Sequence, residues 1–399
     1  MEKFVAHPHL EFLIGEGQEC KVRHPFFDTE ITGSMGVCQL LKRLSAATTK
    51  QEMREWRLCN DSTISELLRW FYIVLESELS FLEHGFLRAV GCPIGTPVTW
   101  AGLTSRKICP AGDAIFGIPT DIGGEFPGAR EGPASIRNTL RDYAPMLCRK
   151  HAEPGDIIDY ESRRIIGGSK LHVYDCGDVL WNAGESLEIV RGRTIKLADK
   201  IISLGCRPFV LGGDHSITAF VLEALHIHYP SIGLIQFDAH HDLYANQAVQ
   251  RRRLDHGNMV RFALEQGAIA SAFQIGLRTI EPFTQSDCQH DGSRLDFVSA
   301  SQAEGLQAED LFSRLDRTRP YYLTFDVDVL NGFNTRTNVV GGLSYYKCLE
   351  FYRYLNDHFE VIGGDFVEVG AVDASNYLPD IVSRLLLTCI FSRAVVRDC

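Results

Sequence analysis

Three short segments of the chain concentrate side chains that bind metal ions. Leu211-Gly212-Gly213-Asp214-His215-Ser216 follows an apolar run and opens a helix-like stretch. Phe237-Asp238-Ala239-His240-His241-Asp242 ends the next apolar run, and Thr324-Phe325-Asp326-Val327-Asp328 ends a later one. Together they offer His215, Asp238, His240, Asp242, Asp326 and Asp328, four carboxylates and two imidazoles. Four carboxylates gathered at a partly buried edge repel one another unless cations lie among them. Two divalent cations meet that need. Oxygen-rich ligation with two His suits Mn²⁺, and Ni²⁺, Co²⁺, Fe²⁺ or Zn²⁺ are compatible with it. Side chains two apart in an extended strand point the same way. Asp238, His240 and Asp242 therefore converge if strand geometry persists past Phe237, and Asp326 and Asp328 do likewise. His241 has the opposite parity and is expected to face away. A plainer reading makes the strand-end Asp residues loop solvators and His215 a helix cap; it accounts for any one segment but not for three together.

The elements that must bring these segments together alternate along the chain. From Asp113 onward the expected strands are Ala114–Ile118, Leu171–Tyr174, Phe209–Leu211, Gly233–Phe237, Phe273–Ile275, Tyr321–Phe325 and Val361–Val367. Helix-like stretches such as Ser186–Leu204, Ile217–His228 and Tyr345–Asn356 lie between them. The pattern predicts an α/β fold, a mainly parallel sheet covered by helices on both faces. Ligands bind such sheets beyond the carboxyl ends of the strands, where the three segments fall.

Residues 1–90 read differently. Short β-like runs (Glu11–Ile14, Cys20–Arg23) precede a helix over Met35–Ala46 and a second helix entered from Thr48. Asp61-Ser62-Thr63 then starts a long helix over Ile64–Glu83, with Gly85 as its stop. This order predicts a small winged-helix-like α+β domain. Residues 91–111, with Pro93, Pro97 and Pro110, read as a linker, and 112–399 as the catalytic domain.

The composition is that of a globular protein, with 45% hydrophobic and 23% charged residues. Lys and Arg number 40 against 51 Asp and Glu, a net charge of −11. That balance, with no basic stripe in residues 1–90, argues against nucleic-acid binding and suits a cationic substrate. No apolar run is long enough to span a bilayer and no signal peptide is evident, so neither a membrane role nor export is expected. Twelve scattered Cys without a C-x-x-C pair read as reduced thiols of a cytoplasmic protein.

The three segments, taken with others, resemble the ureohydrolases, the arginase and agmatinase family, over about residues 112–395. Phe116-Gly117-Ile118-Pro119 and Pro127-Gly128-Ala129-Arg130-Glu131-Gly132-Pro133 are similar to that family's first strand and loop. Asp175-Cys176-Gly177-Asp178-Val179 is similar to its D-x-G-D-V element. Asp242-Leu243-Tyr244-Ala245-Asn246, Asp255-His256-Gly257-Asn258-Met259, Gln274-Ile275-Gly276-Leu277-Arg278, Gly341-Gly342-Leu343 and Asp365-Phe366-Val367-Glu368-Val369 are closest to agmatinase wording. The resemblance implies a three-layer α/β/α fold and hydrolysis of a guanidino group to urea and an amine. It implies one metal held by His215, Asp238, Asp242 and Asp326, and another by Asp238, His240, Asp326 and Asp328. Asp242 is implied to steady the attacking water, His256 to shuttle the proton to the leaving amine, and Asn246 and Glu368 to contact substrate. A carboxylate at Glu368 fits the planar N–H fork of a guanidinium. Trimers or hexamers are usual in the family, so a homo-oligomer is expected.

Two stretches depart from the family pattern. After Asp328 the usual proline-rich loop is replaced by Val329–Val340, and Gln247–Leu254 is extended and carries Arg251, Arg252 and Arg253. The front module resembles the peptide-recognition domains of enzymes that modify ribosomally made peptides. The combination predicts a peptide arginase, converting arginine residues of a precursor peptide to ornithine. The alternatives are an agmatinase or another hydrolase of small guanidino compounds such as guanidinobutyrate or arginine. A non-catalytic regulatory subunit is disfavoured because all six ligand positions, His256 and Glu368 are retained.

Overall fold

The computed structural model describes residues 3–6, 11–14, 19–24, 29–44, 46–69, 73–75, 87–88, 90 and 93–98 of the front of the chain. Further on it describes 111–124, 127–141, 143, 147, 155–181, 185–244, 254–280, 294–333, 339–370 and 377–398.

The front begins with strands β1 (Lys3–Ala6), β2 (Glu11–Ile14), β3 (Glu19–His24) and β4 (Thr29–Ser34). Helix α1 (Met35–Arg43), β5 (Thr48–Thr49), α2 (Lys50–Glu55), α3 (Asp61–Arg69) and β6 (Ile73–Leu75) follow. Thr49 and Glu52 form a reciprocal capping box that starts α2, and Asn60 accepts from the Thr63 amide to start α3. Two small sheets result, in the orders β5-β1-β6 and β2-β3-β4. Phe4, Val22, Leu40, Leu41, Met53 and Ile64 share a small core. The single helix expected over Ile64–Glu83 does not form. Ile73, Val74 and Leu75 favour extended backbone and complete β1, with Phe4 opposite Leu75 and Ala6 opposite Ile73. Cys38 is disulfide-bonded rather than reduced, whereas Cys59, Cys176, Cys206, Cys348 and Cys389 are free.

The rest is built on one ten-stranded sheet. Its strands are β7 (Leu87–Arg88), β8 (Thr96–Pro97), β9 (Asp113–Gly117), β12 (Val173–Val179), β13 (Arg207–Leu211), β14 (Gly233–Phe237), β15 (Ser271–Leu277), β16 (Leu295–Ser299), β17 (Pro320–Asp326) and β18 (Glu360–Val367). The order is β16-β15-β14-β17-β18-β13-β9-β12-β7, with β8 also against β12, and every pairing but β12–β7 is parallel. A separate three-stranded sheet joins β10 (Ile157–Asp159), β11 (Arg164–Ile166) and β19 (Val395–Asp398). Thr96–Pro97 falls inside the stretch read as a linker and is part of the central sheet.

Helices pack both faces, as continuously buried strands such as Gly233–Phe237 require. One core gathers α4 (Gly132–Leu140), α8 (Ala300–Gly305), α9 (Ala308–Phe312), α10 (Tyr345–His358) and α11 (Leu378–Ser392). The other gathers α5 (Leu187–Ser203), α6 (Ile217–His228) and α7 (Met259–Glu265). The fold is therefore the expected three-layer α/β/α arrangement. Among the described residues no helix is long and apolar enough to cross a membrane.

Register positions the site. Phe237 is level with Phe325, Phe325 with Phe366, and Phe366 with Leu211. The carboxyl ends of four neighbouring strands, β14, β17, β18 and β13, thus stop at one height. Rings from that row pack on Tyr352 of α10, 5.1 Å from Phe237 and 5.8 Å from Phe325, so the strand ends rest on a packed floor.

Candidate metal centre

All three metal-type segments emerge from this row. His215 Nδ1 lies 3.1 Å from Asp238, 2.9 Å from Asp242 and 3.5 Å from Asp326. His240 Nδ1 lies 2.9 Å from Asp328 and 3.5 Å from Asp238. Two groups able to hold an ion follow, His215–Asp238–Asp242 and Asp238–His240–Asp328, with Asp238 common to both. Asp326 stands beside the first. His241 belongs to neither group: its Nδ1 accepts from the Leu243 amide and its ring meets Tyr244.

Strand alternation is not what makes the donors converge. β14 ends at Phe237, so Asp238–Asp242 is loop, and Asp242 has φ 52°. Hydrogen bonds shape that loop instead. Asp238 accepts from the His240 amide at 2.7 Å, and Asp328 accepts from the Ala239 amide at 3.0 Å. Asp326 caps the 3₁₀ turn Val327–Val329 through the Asp328 amide.

The donor set fits divalent cations. Burial, reinforced by Asp328, pushes the Asp326 carboxyl well above the usual range. Burial and Asp238 push Asp242 up to about 7. Burial also opposes ionisation of Asp238, but hydrogen bonds from His215 and His240 overcome it and hold this carboxyl low. Burial likewise opposes charge on His240, yet Asp238 and Asp328 push it up to about 11. Carboxyls this crowded do not all ionise unaided, and cations would supply the missing counter-charge.

Beside the cluster stand His256 and Glu368. Asp255 caps the turn His256–Asn258. His256 Nδ1 is 3.7 Å from Glu368 Oε1, which also accepts from the His215 amide at 3.0 Å. Glu368 raises the His256 pKa against the effect of burial. Asp214, fully buried, accepts from Ser216 and from the Gly123 amide, and burial together with Glu368 pushes it up to about 6. Asn246, Arg251, Arg252 and Arg253 lie outside the described residues, as does 334–338 of the altered rim loop. The described base of that loop is closed by Leu343 N–H to Val329 O and by Arg278, which donates to Asp328 O and Val339 O.

Sequence reasoning passed over several supports. Gln236 is fully buried and donates to Asp238 at 2.7 Å and to Asp242 at 3.0 Å. Gln274 donates to Gln236 and to the His241 carbonyl, both at 2.6 Å. Thr324 meets His215 Nε2 at 2.8 Å. The available signal was an amide or hydroxyl inside an apolar strand, a place where a polar group must have a partner.

A three-layer α/β/α fold with a His/Asp metal cluster at its strand ends defines the class. The sequence model of the arginase family matches residues 111–389, and the chain belongs to that family. An agmatinase of Edwardsiella ictaluri (strain 93-146) is 31% identical over 300 residues, spanning 71% of this chain and 89% of that protein. An agmatinase of Photorhabdus laumondii is 33% identical over 269 residues, 64% of this chain and 78% of that one. The crystal structure of a hypothetical agmatinase from Burkholderia thailandensis matches with a TM-score of 0.57 at 29% identity, covering 71% of this chain and 86% of that one. Proclavaminate amidino hydrolase of Streptomyces clavuligerus, 23% identical, shares the fold with a TM-score of 0.59 over 71% of this chain and 92% of that one. Members of the family are hydrolases of C–N bonds in linear amidines that depend on a metal pair, usually manganese. The chain is thus an arginase-family guanidino hydrolase.

Proposed function

We propose that the substrate is a small guanidino amine of the agmatine type, cleaved to urea and a primary amine. The match to agmatinases over 71% of the chain carries this reading. The residues that would hold two Mn²⁺ are His215, Asp238, Asp242 and Asp326 on one side and Asp238, His240, Asp326 and Asp328 on the other. When bound, such a pair supplies Lewis-acid activation of the attacking water. Glu368 pairs with the guanidinium through charge-assisted hydrogen bonds. Asp242 accepts a hydrogen bond from the water and orients it. His256, whose protonated form Glu368 favours, gives its proton to the departing amine nitrogen, which is otherwise a poor leaving group.

A second reading, a peptide arginase, is favoured by the front module. Residues 3–75 form their own sheets and lie outside the family match. In the β2-β3-β4 sheet, β2 and β4 are outer strands, and an outer strand can add an extended peptide by main-chain hydrogen bonds. One experiment separates the two. Mn²⁺-loaded protein is given agmatine, free arginine and an arginine-containing precursor peptide, with urea and peptide mass followed. Rapid release of urea from agmatine with an unchanged peptide is the expected result. A peptide losing the arginine-to-ornithine mass difference while agmatine stays intact would overturn the first reading in favour of the second.

A further inference from the structure

Behind His215, on the side of the ring away from the cluster, two hydroxyls donate to one buried carboxylate and a third stands beside them. Thr324 donates to Asp365 Oδ1 at 2.6 Å and Tyr322 donates to Oδ2 at 3.0 Å. Thr218 stands 3.4 Å from the Thr324 hydroxyl. Thr324, Thr218, Tyr322 and Asp365 are all fully buried, so no water competes for these bonds. A hydroxyl has one proton to give. With that proton committed to Asp365, the Thr324 oxygen can only accept from the imidazole nitrogen 2.8 Å away. His215 Nε2 must then carry a hydrogen, so Nδ1 is the nitrogen that can give a lone pair to a cation once its own proton is released. Nδ1 is the atom that faces Asp238, Asp242 and Asp326. In the other tautomer an N–H would point into the cluster and one donor would be lost.

We propose that Thr324, oriented by Asp365, is a positioning residue that sets the tautomer of His215 and so the affinity of the metal position His215 serves. This rests on the reading of His215 as a ligand. Partners that fix a ligating imidazole typically change metal affinity by about 10–100-fold when removed.

The test is calorimetric titration of metal-free protein with Mn²⁺, read for two binding steps. Thr324→Val should weaken one step by about 10–100-fold and leave the other unchanged. Thr324→Ser, which keeps the hydroxyl, should restore it. Nitrogen-15 NMR of the His215 ring should show hydrogen on Nε2 in the unaltered protein and in Thr324→Ser. Two normal steps in Thr324→Val would overturn the proposal, as would a Thr324→Ser protein as weak as the valine variant. A bare Nε2, carrying no hydrogen in the unaltered protein, would overturn it without any variant, should the valine protein fail to fold. His215→Ala separates the premises: if it keeps both steps, His215 is no ligand and both readings fall. If it loses one step while Thr324→Val loses none, only the positioning role falls.

Discussion

Asp242 and Glu368 have φ of 52° and 61°, a region that side chains other than glycine rarely enter. Such backbone costs on the order of 1–3 kcal/mol and persists where the surroundings impose it. At Glu368 the imposing contacts are its own amide bonded to Gly213 O and its Oε1 accepting from the His215 amide. Glu368→Gly should therefore unfold at a higher temperature than Glu368→Ala, by about 1 kcal/mol, with both variants inactive. Equal melting temperatures would contradict the strain. The same carboxylate governs His256. A folded-state pKa raised above the unfolded value means that the pair stabilises fully below pH of about 6.5 and loses that contribution as pH climbs through the folded value. Glu368→Gln removes the leading cause and leaves burial, so His256 should titrate lower by proton NMR; an unmoved titration would remove Glu368 as the cause. The six candidate donors stood out in the sequence because three strand-end clusters of aspartate and histidine occur together, although any one of them alone also suits loop solvation or helix capping. Their convergence was not legible there, because it depends on amide hydrogen bonds and a left-handed Asp242 that no side-chain pattern encodes.

The loop after β9 and the turn bearing His256 are coupled through one glycine. Gly123 donates its amide to Asp214 at 3.1 Å and accepts from the His256 amide at 3.0 Å. A Cβ at position 123 would sit 2.3 Å from Ser216 Oγ and 2.6 Å from Asp214 Oδ1. Gly123→Ala must therefore push the loop outward and carry His256 with it. Turnover should fall by about 10–100-fold while metal content per chain is retained, since misplacing a reacting group is costly even when it is present. Loss of metal together with activity would show instead that the loop supports the cluster itself. Elements of the central sheet could be read from apolar runs punctuated by helical periods, and Gly233–Phe237 and Ile217–His228 have the expected bounds. The stretch Ile64–Glu83 could not, because β6 is extended through pairing with β1, sixty-seven residues or more away in the chain. Its apolar residues suit a buried helix as well as a buried strand, and tertiary pairing decides.

At the scale of the whole molecule the family match starts at residue 111, yet the sheet reaches back to Leu87. β7 runs antiparallel to β12 and β8 parallel to it, and Ile94, 1% exposed, donates its amide to Asp175 at 2.7 Å. Asp175 also holds Arg137 through two bonds of 3.0 Å, so residues 87–98 buttress a buried ion pair as well as an edge. A chain cut before residue 87 keeps all of this; a chain cut before residue 111 loses it. Burying a side chain like Ile94 is worth about 2 kcal/mol, before counting an ion-paired carboxylate deprived of one donor. The shorter protein should therefore melt markedly lower than the longer one, and equal melting temperatures would mean that the edge strands contribute nothing. The longer truncation also bears on substrate. If the front module serves a peptide, its removal should leave turnover of agmatine, where there is any, unchanged and raise KM for the peptide, because a recognition module acts through effective concentration and not through the reacting atoms. A fall in kcat for a small guanidino compound on the same cut would place the module at the mouth of the metal centre instead.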